Sequence, residues 1–158
     1  MPKKDTSTVS KPTALITGAS SGIGEALAAC FAAAQHDVIL VARSEGKLKT
    51  LAERLVRQHG VAVSVQPSDL SQPGAAAQLL DALARKHSNV DVLVNCAGVL
   101  EQGAFTAIDH GKHQNIIDLN ISGLTAMLSV FVPGMVQRGR GRVLNVASIA
   151  AFQPVPTL

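Results

Sequence analysis

Apolar residues come in two alternating rhythms along this chain. Short, nearly unbroken runs rich in β-branched residues occur at Ala14 to Thr17, Asp37 to Ala42, Val61 to Val65, Val90 to Cys96 and Arg142 to Ala147. Such runs predict strands, and that of Asp37 to Ala42 suits a strand covered on both faces, as in a parallel sheet. Longer stretches with helical spacing lie between them. A first, Ala-rich helix is expected over Glu25 to Ala34. A second, Ser44 to Gln58, has Leu48, Leu51 and Leu55 on one face, with Ser44 as N-cap and Gly60 as its stop. A third runs from about Pro73 to His87 with Leu79, Leu80 and Leu83 inward, and a long fourth from Asp109 to Arg138. Pro133 should kink that helix or reset its last turn, and Gly139 and Gly141 end it.

Strands alternating with helices predict an α/β fold: a Rossmann-type, doubly wound parallel sheet in three layers, joined by right-handed crossovers. The expected strand order is 3-2-1-4-5, with a ligand at the carboxyl ends, where the order switches beside strand one. The chain of 158 residues suits one domain. Residues 13–158 are read as that domain and residues 1–12 as a disordered basic leader.

The segment Thr17-Gly18-Ala19-Ser20-Ser21-Gly22-Ile23-Gly24 joins the first strand to the first helix. Glycine lets the backbone bend sharply there and come close to an anion. The helix start then offers unpaired N–H groups and the positive end of its dipole to a phosphate. No Gly-Lys-Ser/Thr follows, so this is not a Walker phosphate loop.

Composition narrows the classes further. Lys3, Lys4 and Lys11 against Asp5 put +2 of the net +3 charge in the leader, so the basic pI is poor evidence for nucleic-acid binding. Cys30 and Cys96 make no disulfide framework and are expected to be reduced and packed. His110 and His113 have helical spacing but no acidic or thiol partner, so no metal site is predicted. No apolar run reaches membrane-spanning length, and the first residues lack a signal-peptide core. A cytoplasmic protein that binds neither membrane nor nucleic acid is expected.

The end of the second strand carries the cofactor preference. An NAD site places an acid there for the adenosine ribose hydroxyls. Here Ala42 holds the position and Arg43 follows. Guanidinium pairs with a 2′-phosphate that a carboxylate would repel, so NADP(H) is expected. Ser20 and Ser21 can add contacts to that phosphate or to the pyrophosphate.

With these residues in place the chain resembles a classical short-chain dehydrogenase/reductase from Thr13 onward. Thr17-Gly18-x-x-x-Gly22-x-Gly24 resembles the family's cofactor motif. Asp69-Leu70 is similar to the pair that holds adenine. Asn95-Cys96-Ala97-Gly98 resembles the Asn-Asn-Ala-Gly motif, with Cys96 in place of the second Asn. The resemblance makes Gly18, Ser20, Ser21, Gly22, Ile23, Gly24, Arg43, Asp69, Leu70, Asn95, Ala97 and Gly98 the cofactor residues. It makes Asn120 the catalytic Asn that supports a proton-relay water, and Ser148 the Ser that hydrogen-bonds a substrate carbonyl oxygen.

The implied function is NADP(H)-dependent hydride transfer between nicotinamide and a small carbonyl or alcohol substrate. The fourth helix resembles the family's subunit-interface helix, which implies a homo-oligomer. The alternative is a naturally short, non-catalytic Rossmann protein that binds NADP or a partner. The family's Tyr and the Lys four residues after it have no counterpart: the chain has no Tyr, and Lys112 is its last Lys. The expectation is therefore a sheet incomplete at its C-terminal edge, in a chain that is essentially inactive alone.

Overall fold

The computed structural model describes residues 11–86 and 88–155. Its strands are β1 (Thr13–Thr17), β2 (Asp37–Ala42), β3 (Val63–Pro67), β4 (Val92–Asn95) and β5 (Arg142–Asn145). They form one sheet in the order β3-β2-β1-β4-β5, and every pairing is parallel, as the alternation predicts. The helices are α1 (Gly22–Ala33), α2 (Glu45–His59), α3 (Ala75–Ala84), α4 (His110–Ile117) and α5 (Leu124–Gln137). Asp118–Gly123, between α4 and α5, is a π turn, so His110–Gln137 is one continuous helix with a widened middle.

Strand periodicity sorts the core into two layers. Ala14, Ile16, Val38, Leu40, Val92 and Val94 face one side, where they meet Ala28 and Ala32 of α1 and Leu48, Leu51 and Leu55 of α2. Leu15, Ile39, Val41 and Leu93 face the other, against Leu79 and Leu83 of α3 and Met127, Phe131 and Met135 of α5. The alanines of α1 let that helix lie close to the sheet. At the amino ends of the strands, Asp91 ties three of them together. Its Oδ2 accepts the Thr13 N–H at 3.0 Å, its Oδ1 meets Arg140 Nε at 3.3 Å, and its carbonyl takes the Arg142 N–H at 2.9 Å.

Several boundaries differ from expectation. Helix α1 starts at Gly22, inside the glycine turn, rather than at Glu25. Ser44 stands at the N-cap of α2, but its side chain makes no capping hydrogen bond. Gly60 does end α2, at φ +62°. Strand β3 begins two residues late: Val61 is buried ahead of it, and the Ala62 N–H goes to Asp37 Oδ1 at 2.9 Å. Gly74, at φ +81°, delays α3 until Ala75. Strands β4 and β5 are shorter than their apolar runs.

One further expectation is overturned. Cys30 is exposed on α1, because the helix turns Ala28 and Ala32 to the sheet instead. His110–Gln137 is long and apolar enough, at 28 residues, to pass for a membrane span, although its unbroken apolar runs are short. In this structure it lays Met127, Phe131 and Met135 on the sheet.

The expected leader falls mostly on residues 1–10, outside the described residues. Lys11 reaches Gln35 Oε1 at 2.9 Å, and the Pro12 carbonyl accepts the Asp37 N–H at 3.0 Å. At the other margin β5 has no outer neighbour among the described residues, and all four of its residues are exposed.

Candidate functional site

The glycine turn leaves β1 at the carboxyl end of the central strand. Gly18 sits at φ +68°, and a Cβ there would come within 2.9 Å of the Ala97 backbone and the Cys96 carbonyl. The turn and the loop after β4 are thus pressed backbone to backbone. The Ala19 N–H reaches across to the Val41 carbonyl at 3.2 Å, which ties the turn to β2. Gly22, at φ +56°, bends the chain into α1. A Cβ on Gly24 would run into the carbonyl of Gly18, so the turn closes on itself there. Ser20 is half-buried, while Ser21, Gly22 and Ile23 are exposed at the helix entrance. The first N–H groups of α1, which have no partner within the helix, therefore lie at an exposed entrance flanked by Ser20 and Ser21.

One side chain holds that turn to its neighbour. Thr17 is 1% exposed. Its Oγ1 accepts the N–H groups of Cys96 and Ala97, both at 3.0 Å, and donates to the Val94 carbonyl at 3.3 Å. Beside it Asn95, buried at the end of β4, donates from Nδ2 to Asn145 Oδ1 at 2.9 Å, while its carbonyl takes the Val146 N–H. Burial pushes the Cys96 thiol pKa up, which keeps that sulfur protonated.

On the other flank Arg43 leaves β2 exposed, and Asp69 follows β3. The Ser68 N–H to the Ala42 carbonyl, 3.0 Å, joins the two strand ends. Asp69 Oδ1 accepts from the Ser71 hydroxyl at 2.7 Å and the Ser71 N–H at 3.1 Å. Burial pushes the Asp69 pKa up, but the Ser71 bonds, the Arg43 charge and Gln72 outweigh it, and the net shift is downward. The carboxylate is the form the fold favours. Its stabilising contribution is present above the unfolded pKa and is lost as pH falls through the lowered folded value.

Asn120 comes from the π turn. Its Oδ1 accepts the Val99 N–H at 2.9 Å, and its Nδ2 donates to the Val99 carbonyl at 2.8 Å. The amide thus copies a strand pairing and pins the loop after β4 to the helix. That loop is also held by an ion pair, Lys112 to Glu101 at 3.0 Å. His113 stacks on Phe105 with centroids 4.4 Å apart, and its Nε2 contacts the Phe105 carbonyl. Ser148, exposed past β5, accepts the Ala150 N–H at 3.1 Å, which leaves its own O–H free to donate.

Gly18 to Gly24, Arg43, Asp69, Leu70, Asn95, Ala97, Gly98 and Ser148 all lie on or just past the carboxyl ends of the strands, and Asn120 reaches the same edge from the helix. A Cβ on Gly98 would touch Asn120 Oδ1 at 3.5 Å. No hydrogen bond joins Ser148 to Asn120 among the described residues. Two residues of this site are not singled out by the sequence pattern. Thr17 belongs to the glycine motif, which says nothing of the two loops its side chain joins. Gly123 lies inside a helix, where a glycine costs about 1 kcal/mol against alanine, and that cost is the one signal of a packing reason.

The family profile of short chain dehydrogenases matches residues 12–158. An uncharacterized oxidoreductase of Staphylococcus saprophyticus is 31% identical over 140 residues, 89% of this chain and 60% of that protein. The structure of a short-chain dehydrogenase from Sphingobium yanoikuyae in complex with NADPH is 38% identical, with a TM-score of 0.85 over 92% of this chain and 57% of that one. L-Sorbose reductase from Gluconobacter frateurii, in complex with NADPH and L-sorbose, is 32% identical, with a TM-score of 0.87 over 94% of this chain and 56% of that one. The chain therefore spans 56–60% of the length of each.

Proposed function

From the premise that this chain belongs to the short chain dehydrogenase family, we propose that it binds NADP(H) across the carboxyl ends of its strands. It would thus form the cofactor-holding portion of a carbonyl–alcohol oxidoreductase. The residues fit such a group. Side chains at Gly18 or Gly24 would collide with backbone that shapes the turn, and the exposed guanidinium of Arg43 stands where an NAD site carries an acid. When bound, the nicotinamide supplies or takes up a hydride.

The protein's own groups divide the remaining work. N–H groups of Gly22, Ile23 and Gly24 bind pyrophosphate at the positive end of α1, with Ser20 and Ser21 beside them. Arg43 pairs with the 2′-phosphate. Asp69 and the Leu70 backbone seat adenine. Asn95, Ala97 and Gly98 border the nicotinamide ribose. Asn120 keeps the Val99 loop in place and supports the proton path, and Ser148 donates its free O–H to the substrate oxygen. Leu100 and Phe105, 62% and 79% exposed, give that loop an apolar face for a small carbonyl or alcohol compound. Ile117, Ile121 and Val136 on the long helix are exposed where a second subunit would pack.

The observation that carries this reading is Arg43 after Ala42, within electrostatic reach of Asp69. Arg43→Ala removes one charge-assisted contact of about 1.5–3 kcal/mol, so NADPH affinity should fall about tenfold to a hundredfold. NADH affinity should hardly change. Fluorescence titration of both nucleotides checks this, and an equal loss for the two would overturn the 2′-phosphate assignment.

A further inference from the structure

Gly123 closes the π turn, and its Cα rests on the loop that follows β3. A Cβ built there would lie 2.5 Å from the Leu70 carbonyl oxygen and 3.4 Å from its carbon. Neither is the tip of a flexible side chain, so the helix and the Asp69–Leu70 loop touch backbone to backbone. Around that contact the packing is nearly closed. A cavity of about 10 Å³ remains, bordered by Leu70, Gly123, Leu119, Thr17 and Met127. The same π turn, three residues earlier, carries Asn120, whose amide grips both backbone groups of Val99. A π turn marks a local departure from helical spacing that is often tied to a site. Here it brings one short segment into contact with two loops at once.

We infer that Gly123 is a positioning residue. It lets the Asp69–Leu70 loop bear directly on the turn that holds Asn120, so that filling the adenine end steadies the Val99 loop at the reacting end. The physical element is the six-residue π turn, Asp118–Gly123, with Leu70 pressing on one end and Val99 hung from the middle. Whatever orders Asp69 and Leu70 restricts Gly123, and through it the amide of Asn120. This rests on the cofactor reading above and adds to it a route from the adenine end to the loop beside the substrate.

The test uses the whole 158-residue chain and adenosine 2′,5′-bisphosphate, which lacks nicotinamide and so touches only one end of the site. Amide exchange is followed by NMR at Val99, with the shifts of Ile23 and Arg43 reporting occupancy. At saturation Val99 exchange should slow about fivefold or more, the scale of an ordinary coupling between sites. In Gly123→Ala, if it folds and still takes up the probe, the slowing should be lost. Should that variant not fold, the wild-type result decides alone. Shifts at Ile23 and Arg43 with Val99 unchanged would overturn the inference and leave the cofactor assignment standing. No shift at any of the three would overturn the cofactor assignment, and the inference with it.

Discussion

Replacing Gly24 with alanine is expected to unfold the glycine turn and abolish nucleotide binding. The added methyl would collide with the carbonyl group of Gly18, whose carbon would lie 2.7 Å away. Side chains can swing away from an intruder, but this neighbour is main chain. Gly18 is itself held from behind by Ala97, at a Cβ clearance of only 2.9 Å. Overpacking usually costs about 1–3 kcal/mol, and a clash with backbone braced on both sides belongs at or above the upper figure. That is a large fraction of the stability of an ordinary domain. Gly22→Ala is the natural comparison, since a Cβ there meets nothing within 4 Å and only its φ of +56° is strained. It should cost about 1–2 kcal/mol. Urea midpoints rank the two, and a Gly24→Ala protein as stable as Gly22→Ala would contradict the packing described.

Thr17→Val should be nearly as damaging, for a different reason. Valine has the shape of threonine, so no cavity opens and the β propensity of the strand is kept. What disappears is the oxygen that accepts from Cys96 and Ala97. Each stranded N–H costs about 1–3 kcal/mol, so the pair should cost about 2–6 kcal/mol. Thr17→Ser keeps the oxygen and loses one methyl, which costs about 1 kcal/mol. Chemical denaturation of both variants separates the two contributions. A serine variant weaker than the valine one would mean that the methyl packing, not the hydroxyl, holds the loops together.

The alternation of short apolar runs and helical spacing points to the parallel order found, although burial on both faces holds only for the central strands β1, β2 and β4, while β3 is half-buried and β5 is exposed. Boundaries were less legible where one residue had two uses. Val61 is buried as an expected strand residue would be, yet the N–H after it is claimed by the Asp37 side chain. Gly74 is compatible with a helix by spacing and incompatible by its φ. Cys30 could not be placed because α1 is apolar nearly all round, and small alanines chose the buried side. The positions of Gly18 to Gly24, Arg43, Asp69 and Asn95 at one edge follow from the topology. The double bond of Asn120 to Val99 does not, since a π turn leaves no signature in residue spacing.

Among the described strands β1 comes first in the chain and has neighbours on both sides. Its partner β2 follows within one helix, but Asp91, which accepts the Thr13 N–H, is 78 residues further on. At roughly 5–20 residues per second, the β4 side of β1 waits on the order of 4–16 s on the ribosome. During that interval the edge that will meet Val92, Leu93 and Val94 is an unpaired strand in a nascent chain. The length of chain between β2 and β4 thus sets how long the centre of this sheet stays open to the wrong partner.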